Sequence, residues 1–523
     1  MADTVWELLG SGSGSDPAIL AEDGSVLSHD GLRAAVTRLR EQMRALGVGV
    51  EDRIAIVLPN GPAAAVAFLA AAVTGCAAPL NPRYRSDELR FYLEDLGASV
   101  LITGDSGGDA AREAAGDEVL RLRMQASLAA LELVPNDRHS GEAPVPDSIR
   151  GRSPVTSSRR RADTSGGLAD PGPDDVALVL HTSGTTSRPK IVPLRQRNLG
   201  CSAAGIADSL KLTSADRSLN VMPLFHIHGL LAGLLAPLSA GGSVVATGGF
   251  DAFGFFGQLK SLRPTYYTAV PTMHQMVLAR SARHARAARS AGLRFVRSSS
   301  ASLPGPVLEQ LRDLFGVPVI ESYGMTEATH QMCTNPLPPG TAKIRSVGLP
   351  AGIELAILDE TGQVQPAGTR GEVSIKGLTV IDGYENNPAA DEASFTDGWF
   401  RTGDQGYLDD DGYLFLTGRL KEQINRGGEK VSPLEVDEVL LRHEAVAQAV
   451  TFAIPHDKLG EEVAAAVVLA DGATATETEL RNHVGRSLAA FKVPRRVVFC
   501  DELPKGPTGK LQRIGLAQRL GLA

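Results

Sequence analysis

The sequence has few of the features that mark secreted or metal-stabilised proteins. Its 523 residues include only four cysteines, which are widely spaced and form no Cys-x-x-Cys pair. This usage is typical of a reducing compartment and argues against both a disulfide scaffold and a structural zinc site. The first ten residues, MADTVWELLG, contain two acids and no basic residue. We therefore expect no export signal and a cytoplasmic location.

Long apolar runs are also scarce. The most apolar stretch, 63–80, is dominated by alanine and is interrupted by Thr74 and Gly75. It has about the length of a membrane span, but alanine contributes little transfer free energy. We predict a buried helix here and no stable insertion into a membrane.

An excess of positive charge is missing as well. Lys and Arg number 52 against 60 Asp and Glu, which gives a net charge of −8. Binding along a nucleic acid normally requires a basic face, so we expect no nucleic-acid partner. The balance still leaves room for a local basic pocket that holds one small anion.

The pattern that is present predicts an α/β fold. Runs rich in β-branched residues alternate with helix-length segments, which is typical of a mainly parallel sheet covered on both faces. The predicted strands are 54–58, 100–103, 176–180 and 317–320, and the predicted helices are 31–46, 62–75 and 306–315. Shorter strands separated by turn residues follow from about residue 352 and predict a β-rich unit.

These patterns predict a large N-terminal domain over 1–420, with stacked sheets, helices and a β-rich subdomain at about 350–420. Residues 135–174 are rich in Pro, Ser, Gly, Asp and Arg and predict a poorly ordered surface loop. A small α+β domain is predicted over 421–523. Its expected elements are helices at 433–443 and 477–488 and strands at 446–453 and 463–469.

The most informative segment is HTSGTTSRPK, residues 181–190, which directly follows a predicted strand. Small hydroxyl residues around a glycine can offer backbone N–H groups and hydroxyls to phosphate oxygens, and Lys190 adds charge. The segment is not a Walker loop, since no Gly-Lys-Ser/Thr closes it. Taken alone, it could equally be a Ser/Thr-rich turn between a strand and a helix.

Further blocks follow in a fixed order: PLFHIHG (223–229), ESYGMTE (321–327), GWFRTGD (398–404), GRLKE (418–422), RGGEK (426–430) and LPKGPTGK (503–510). In order and spacing they resemble the adenylate-forming superfamily of acyl-CoA synthetases, adenylation domains and luciferases. The resemblance covers nearly the whole chain, from about residue 17 to 520. It implies a large domain followed by a small mobile one.

The resemblance implies a two-step reaction. A carboxylate first attacks the α-phosphate of ATP and releases diphosphate, and the acyl group then passes to a thiol, here that of coenzyme A. Charge neutralisation at the phosphates is the main demand of the first step. The implied ATP- and AMP-binding residues are Thr182, Ser183, Gly184, Thr185, Thr186, Lys190, Ser300, Ala301, Ser302, Glu321, Ser322, Tyr323, Thr326, Asp404 and Arg419.

Individual roles also follow from the resemblance. Glu327 would bind Mg²⁺ as a hard oxygen ligand, with Thr185 as a second candidate. Tyr323 would stack on adenine, and Asp404 would accept the ribose hydroxyls. Each residue also has a structural alternative: Tyr323 could be a core residue, Asp404 a turn acid and Glu327 a helix cap.

Two lysines are expected to act in the small domain. Lys510 lies in a Pro- and Gly-rich loop near the C-terminus and matches the family lysine that stabilises the carboxylate and the α-phosphate during adenylation. Lys421 matches the family hinge, about which the small domain rotates between the two half-reactions. Either could instead be a solvated surface lysine. The RGGEK loop, which comprises Arg426, Gly427, Gly428, Glu429 and Lys430, is expected to border the thiol channel.

Two departures from the common superfamily pattern point to one subgroup. Ser187 replaces a glycine of the phosphate loop, and the adenine-side block reads RSSSASL, residues 297–303. These segments look like those of oxalate–CoA ligases of plants and fungi. The implied acid pocket is polar, and His226, His228, Ser300 and His330 are its main candidates, with His226 counted also among the catalytic residues. Ser298, Ser299, Ser302 and Gln331 are further polar candidates, and any of the histidines could instead be a satisfied core residue.

The sequence leaves several functions to compare. A small-acid–CoA ligase, a short- to long-chain fatty acyl-CoA ligase and an adenylation enzyme that loads a carrier protein all fit the blocks, and luciferase-like oxidation is a variant of the first. A nucleotide-binding protein without catalysis would be expected to lack Lys510, Glu327 or Asp404, and all three are present. We therefore predict an AMP-forming oxalate–CoA ligase that uses ATP, Mg²⁺ and coenzyme A. We expect a monomer or homodimer.

Overall fold

The structure is a computed structural model that describes residues 2–105, 108–127, 130–135, 169–182, 189–506 and 510–523. The chain divides into two compact units. The first unit comprises 1–268, 324–331 and 378–391, and the second comprises 269–323, 332–377 and 392–523. In the part of the chain described, no helix combines the length and the apolar character needed to cross a bilayer.

The strands are β1 (Pro17–Leu20), β2 (Val26–Ser28), β3 (Arg53–Val57), β4 (Cys76–Pro79), β5 (Val100–Gly104), β6 (Leu120–Ser127), β7 (Ala130–Pro135), β8 (Val176–Thr182), β9 (Lys190–Arg195), β10 (Arg217–Asn220), β11 (Ser243–Ala246), β12 (Tyr266–Ala269), β13 (Phe295–Ser298), β14 (Val319–Met325), β15 (His330–Thr334), β16 (Leu349–Pro350), β17 (Glu354–Leu358), β18 (Gly371–Lys376), β19 (Phe395–Thr396), β20 (Trp399–Leu408), β21 (Leu414–Arg419), β22 (Ile424–Arg426), β23 (Glu429–Val431), β24 (Val446–His456), β25 (Gly460–Leu469) and β26 (Arg496–Phe499).

The α-helices are α1 (Val5–Leu8), α2 (His29–Ala45), α3 (Pro62–Ala72), α4 (Ser86–Leu96), α5 (Asp109–Ala114), α6 (Gln196–Ser209), α7 (Ile227–Leu230), α8 (Ala236–Ser239), α9 (Phe255–Leu262), α10 (Pro271–Leu278), α11 (Ala285–Arg289), α12 (Gly305–Phe315), α13 (Pro388–Ser394), α14 (Pro433–Leu440), α15 (Glu477–Gly485) and α16 (Leu516–Arg519). Most of the predicted strands and helices lie within about three residues of these bounds, whereas the strand predicted at 317–320 extends in the structure over Val319–Met325. The structure confirms the α/β class, with a large N-terminal domain and a smaller C-terminal one.

The first unit contains a seven-stranded sheet in the order β7-β6-β5-β3-β4-β8-β9. Its five central strands are parallel, and β7 and β9 pair antiparallel at the two edges, so the sheet is mixed. Helix α2 packs through an apolar stripe of Leu32, Val36, Leu39 and Met43. Ser28 caps this helix by accepting a hydrogen bond from the Gly31 N–H.

The sequence had suggested one buried helix over the alanine-rich stretch 63–80, and this prediction was wrong in extent. Helix α3 ends at Ala72, and the run continues as strand β4. Thr74 Oγ1 donates to the Ala70 carbonyl at 2.7 Å, which satisfies one of the last carbonyls of the helix. An apolar run that is buried on every side carries no periodicity, so its pattern could not separate helix from strand.

A second sheet of the first unit has the order β12-β10-β11-β1-β2. The four strands from β12 to β1 are parallel, and β2 closes a hairpin on β1. After β10 the chain forms the short helix α7, a π-helical turn over Leu231–Leu235 and helix α8. Such π-helical turns often occur at functional sites, and this one directly follows the predicted pocket histidines.

The second unit contains strands in the order β16-β15-β14-β13, an antiparallel β-rich sheet and a C-terminal sheet. The β-rich sheet has the order β17-β18-β20-β19 with β21 paired to β20, as the short-strand pattern had predicted. The C-terminal sheet has the order β23-β22-β25-β24, and β26 adds parallel to β25. Along β25, Val463, Ala465 and Val467 pack into one apolar cluster, whereas Ala464 and Ala466 pack into another. This alternation shows that both faces of the C-terminal sheet are covered.

Candidate active site

Lys190, at the start of β9, contacts Tyr384, and Tyr384 in turn contacts Glu327, all within the first unit. The Lys190 ammonium lies 4.1 Å from the centre of the Tyr384 ring. The Tyr384 hydroxyl donates to Glu327 Oε1 at 2.9 Å, and both of these side chains are buried. Tyr384 therefore contacts both the Lys190 ammonium and the Glu327 carboxylate. The cation–π contact and the charged hydrogen bond both fix the position of the ring.

The backbone holds Tyr384 and Glu327 in place. The Ile381 N–H donates to the Glu327 carbonyl at 2.9 Å, and Thr329 Oγ1 donates to the Thr379 carbonyl at 2.6 Å. On the other side of the tyrosine, the Glu385 N–H donates to the Ile191 carbonyl of β9. These bonds join the segment after β14 to the hairpin that carries Lys190.

Thr182 and Lys190 pair with each other as the last and first residues of β8 and β9. The predicted phosphate-binding residues Ser183, Gly184, Thr185 and Thr186 lie outside the described residues, and so does most of the predicted loop 135–174. The segment follows strand β8, as predicted, but the next element is strand β9 and not the helix that the alternative interpretation expected. Its contacts with phosphate stay a prediction.

Tyr323, Asp404 and Arg419 form a hydrogen-bonded group in the second unit. The Tyr323 hydroxyl donates to Asp404 Oδ2 at 2.5 Å, and Arg419 Nε donates to Asp404 Oδ1 at 2.7 Å. Burial raises the pKa of Tyr323 well above its usual value, and the Asp404 carboxylate raises it further. The same carboxylate raises the pKa of Arg419. Tyr323 and Arg419 therefore stay protonated, and their hydrogen bonds orient Asp404 as an acceptor.

The block that contains Tyr323 is fixed by buried polar contacts. Glu321 is buried and accepts a hydrogen bond from the Leu303 N–H at 2.8 Å. Burial raises the pKa of Glu321 to about 8, and the nearby Glu438 carboxylate adds to the rise. Ser322 and Thr334 share a hydrogen bond of 2.7 Å between their hydroxyls. In this structure, Glu321 and Ser322 support the strand.

Two of the predicted pocket histidines stack on each other in the first unit. The rings of His228 and His330 are 4.8 Å apart at their centres and nearly parallel. His228 Nε2 shares a hydrogen bond of 2.6 Å with Thr268 Oγ1, and all three side chains are buried. His226 lies at the start of the same helix and caps it, because its Nδ1 accepts from the His228 N–H at 3.3 Å. The two blocks that contain these histidines therefore meet in space.

His330 has an unusual backbone conformation with φ +88°, which residues other than glycine rarely adopt. A Cβ at Gly324 would lie 1.7 Å from the His330 carbonyl oxygen, so only glycine fits there. The backbone at His330 therefore lies directly against Gly324. Its neighbour Gln331 donates to Ser209 Oγ of α6, and this contact gives Gln331 a structural role.

The serine-rich block begins on β13 and ends in a turn. Ser298 and Ser299 are buried, and Ser299 Oγ donates to the Ser322 carbonyl at 3.0 Å. Ser300 has φ +74°, whereas Ala301 and Ser302 are exposed. Ser299 thus has a structural partner. The contributions of Ser300, Ala301 and Ser302 to nucleotide or acid binding stay predictions.

The RGGEK segment forms a tight hairpin between β22 and β23. Gly427 and Gly428 occupy its two turn positions with φ +59° and +95°, which a two-residue turn of this kind requires. Arg426 Nε donates to Glu462 Oε1 at 2.5 Å, so this arginine is held on the sheet. Glu429 and Lys430 are exposed and accessible to a ligand.

The two predicted lysines of the small domain lie on irregular backbone. Lys421 is exposed within a short 3-10 turn, Leu420–Glu422. Lys510 follows residues 507–509, which lie outside the described residues, and its carbonyl accepts from the Gly506 N–H at 2.8 Å. Lys421 occupies the kind of position at which a backbone hinge is expected.

Tyr384 and Thr268 contact predicted site residues but were not themselves predicted from the sequence. Tyr384 lies in a polar loop, GYENNP, that shows no periodic pattern. Thr268 lies in a buried strand, where a threonine is unremarkable. For Tyr384, the only sequence signal was an aromatic residue next to Gly383 in an otherwise polar loop. For Thr268 there was no sequence signal.

The chain is similar to known proteins over most of its length. Residues 11–385 match the AMP-binding enzyme family, and residues 435–510 match the AMP-binding enzyme C-terminal domain. An oxalate–CoA ligase of Arabidopsis thaliana is 46% identical and aligns over 94% of this chain and 92% of its own. An oxalate–CoA ligase of Saccharomyces cerevisiae is 41% identical over 90% and 87%. A sulfoacetate–CoA ligase of Cupriavidus necator is 36% identical over 96% and 94%.

Solved structures show the same likeness. The ATP-bound crystal structure of MatB from Rhodopseudomonas palustris superposes with a TM-score of 0.85, at 28% identity and over 99% of both chains. The family match spans more than half of the chain, and the relatives align over nearly all of it. The chain therefore belongs to the AMP-binding enzyme family, among its AMP-forming acid–CoA ligases.

Proposed function

We propose that this ligase activates oxalate: oxalate, ATP and coenzyme A give oxalyl-CoA, AMP and diphosphate. The observation that carries the proposal is the buried His228–His330 stack with Thr268. Two relatives are named for small acids that carry two anionic groups, oxalate and sulfoacetate. The relatives and the stack thus support the same class of substrate.

The polarity of this cluster disfavours an alkyl chain as substrate. A fatty-acid pocket gains ~0.8 kcal/mol for each buried CH₂ group, which requires apolar walls. Imidazole and hydroxyl groups packed against an alkyl chain would instead lose hydrogen-bond partners, at about 1–3 kcal/mol each. A small dianion can accept hydrogen bonds from such groups. We assign His330 and His226, together with Ser300, to the distal carboxylate of oxalate, and His228 to the orientation of His330.

The nucleotide is held by the groups described above. Lys190 and Thr182 bind the terminal phosphates together with the loop between them, and Thr326 binds the α-phosphate. Asp404 accepts the ribose hydroxyls while Tyr323 and Arg419 keep it oriented. Tyr323 also presents its ring to adenine. Neutralisation of the phosphate charge is what the attack of the acid on the α-phosphate requires.

Glu327 is the candidate ligand for Mg²⁺. In the described residues no group of three or more His, Cys, Asp or Glu side chains is arranged to hold a metal ion. Mg²⁺ is commonly held by one or two carboxylates together with substrate phosphates, and a buried glutamate oriented by Tyr384 fits that requirement. Thr185 stays a second candidate. When bound, the ion would supply further charge neutralisation at the phosphates.

The second half-reaction is assigned to the small domain, 421–523. Lys510 serves adenylation, rotation about Lys421 follows, and the Gly427–Gly428 turn then borders the path of the pantetheine arm. We also propose a large domain over 1–420, a cytoplasmic location and a monomer or homodimer. These assignments are supported by the match of the motifs to the family.

The decisive experiment is a substrate panel. Diphosphate release is measured with oxalate, malonate, sulfoacetate, octanoate and palmitate, each with and without coenzyme A. We expect the highest kcat/KM for oxalate, a lower value for malonate and little activity with the long-chain acids. A higher kcat/KM for octanoate or palmitate would show a fatty acyl-CoA ligase. Diphosphate release followed by transfer to a carrier-protein thiol, but not to coenzyme A, would show a carrier-loading enzyme.

A further inference from the structure

The described residues 504–506 and 510–512 pair with each other in antiparallel fashion, and this pairing, which includes Lys510, is called here the Lys510 hairpin. Lys505 and Leu511 form an antiparallel bridge. The Gly506 N–H donates to the Lys510 carbonyl at 2.8 Å, and the Gln512 N–H donates to the Pro504 carbonyl at 2.9 Å. The two sides of the hairpin are therefore joined by backbone hydrogen bonds up to Lys510. The direction of the hairpin depends on what fixes its base to the rest of the small domain.

Arg513 follows the hairpin and makes three separate contacts. Its Nη2 donates to Asp437 Oδ2 at 2.5 Å, and its Nε donates to the Thr451 carbonyl at 2.7 Å. Its Nη1 donates to Glu422 Oε2 at 3.3 Å. The side chain is only 13% exposed. One guanidinium thus joins the hairpin to helix α14, strand β24 and the 3-10 turn at the predicted hinge.

The partners of Arg513 are themselves fixed. Asp437 Oδ1 accepts from the Thr451 N–H at 2.5 Å, so the two residues that hold the guanidinium also hold each other. Burial raises the pKa of Asp437, and the charge of Arg513 opposes the rise. A buried carboxylate left without its cation is strongly unfavourable, so this contact resists displacement.

We infer that Arg513 is a positioning residue for the adenylation half-reaction, acting by fixing the hairpin that presents Lys510. The inference rests on the proposed role of Lys510. The planar guanidinium satisfies three acceptors in three directions, which the single ammonium of a lysine cannot do. A displacement of about 1 Å at a reacting group can cost ~100-fold in rate. Removal of the Arg513 contacts is therefore expected to slow adenylation through the position of Lys510, and not through a contact between Arg513 and a substrate.

The test compares Arg513→Met and Arg513→Lys with Lys510→Ala and with the double variant Lys510→Ala/Arg513→Met. ATP–diphosphate exchange measures adenylation, and transfer from preformed acyl-adenylate to coenzyme A measures the second step. We expect Arg513→Met to lower the kcat of exchange ~30- to 100-fold with the KM for ATP unchanged within about threefold. Thioester formation should stay within about threefold of wild type, and Arg513→Lys should recover part of the exchange rate.

The double variant gives the sharpest readout. If Arg513 acts only through Lys510, the exchange rate of the double variant equals that of Lys510→Ala alone. Lys492→Met is the matched control, because Lys492 donates to Glu435 of the same helix α14 at 2.6 Å. This control should leave both half-reactions near the wild-type rate.

The outcomes separate the two proposals. Equal losses in both half-reactions for Arg513→Met, or a further loss in the double variant, would overturn the positioning role. Full exchange activity in Arg513→Met while Lys510→Ala is inactive would also overturn it and leave the proposed function intact. Full exchange activity in Lys510→Ala would instead overturn the role assigned to Lys510 in the proposed function.

Discussion

Tyr384 donates its hydroxyl to Glu327 at 2.9 Å, and the face of the same ring lies 4.1 Å from the Lys190 ammonium. One side chain thus contacts both the candidate metal ligand and the candidate phosphate-binding lysine. The ring contacts the lysine and the hydroxyl contacts the glutamate. Substitutions can therefore remove one contact and keep the other.

The first prediction concerns this tyrosine. Tyr384→Phe keeps the ring under Lys190 but removes the hydrogen bond to Glu327, which for a charged acceptor is worth about 1.5–3 kcal/mol. We expect a loss of roughly tenfold or more in kcat/KM for ATP and a higher Mg²⁺ requirement. Tyr384→Leu removes both contacts and should be worse. Exchange assays across Mg²⁺ concentrations check this, and equal activity of the two variants would argue against a role for the ring.

The second prediction concerns the ribose. Asp404→Asn retains the size of the side chain but removes the charge that Tyr323 and Arg419 orient. We expect the KM for ATP to rise at least about tenfold, with a much smaller change in the KM for the acid. Asp409→Asn is the matched control, because Asp409 pairs with Lys343 in a comparable contact at 2.6 Å. Steady-state kinetics of both variants measure the KM for ATP. A similar rise in the KM for ATP in the two variants would contradict the assignment of Asp404 to the ribose.

The third prediction concerns the acid pocket. His330→Ala removes the stack on His228, and His330→Asn does so with a residue that tolerates positive φ better. Both variants should raise the KM for oxalate far more than the KM for ATP. His284→Ala, at an exposed position, is the control and should match the wild type. A normal KM for oxalate in both His330 variants would remove this residue from the pocket.

The fourth prediction is a pH dependence of stability. Glu321 has a folded-state pKa of about 8, above its usual value of 4.5. Between these two values the folded protein binds a proton that the unfolded chain releases, so this residue's contribution to stability falls as pH rises, by up to ~1.4 kcal/mol per pH unit. Glu321→Gln removes the effect. The Tm of the variant relative to wild type should therefore increase from pH 5 to pH 8, and a constant difference would contradict the prediction.

The fifth prediction concerns the hinge. Lys421→Pro fixes φ near about −65° in the 3-10 turn and should block the rotation between half-reactions. The variant should retain ATP–diphosphate exchange but form little acyl-CoA. Lys421→Ala, which restricts φ far less, is the control. Normal overall turnover in the proline variant would place the hinge elsewhere.

Much of the fold could be predicted from the sequence, because its strands and helices carry strong periodic patterns. The strands around 54–58 and 176–180 and the helix over 31–46 lie within a few residues of the observed bounds. The end of α3 could not be predicted, since a fully buried alanine run looks the same in a helix and in a strand. The antiparallel edge strands were missed for a related reason, because pairing direction leaves little trace in a short strand.

The site was predictable where residues act through local motifs. Asp404, Glu327 and Lys190 could be proposed because each lies in a block of recognisable sequence, and their roles stay predictions. Tyr384 and Thr268 were missed, because their importance depends on neighbours that are distant in the chain. The left-handed backbone of His330 was equally hidden, since it follows from its close approach to Gly324.

The contacts of Arg513 have a consequence for modular evolution. Its acceptors, Glu422, Asp437 and Thr451, all lie in the segment that begins after Lys421. The three acceptors of Arg513 and the described residues around Lys510 thus belong to one stretch of sequence. Under the proposed role of Lys510, that stretch transplanted onto the large domain of a relative would keep the contacts of Arg513, so recombination near residue 421 could exchange acid specificity between enzymes without rebuilding them.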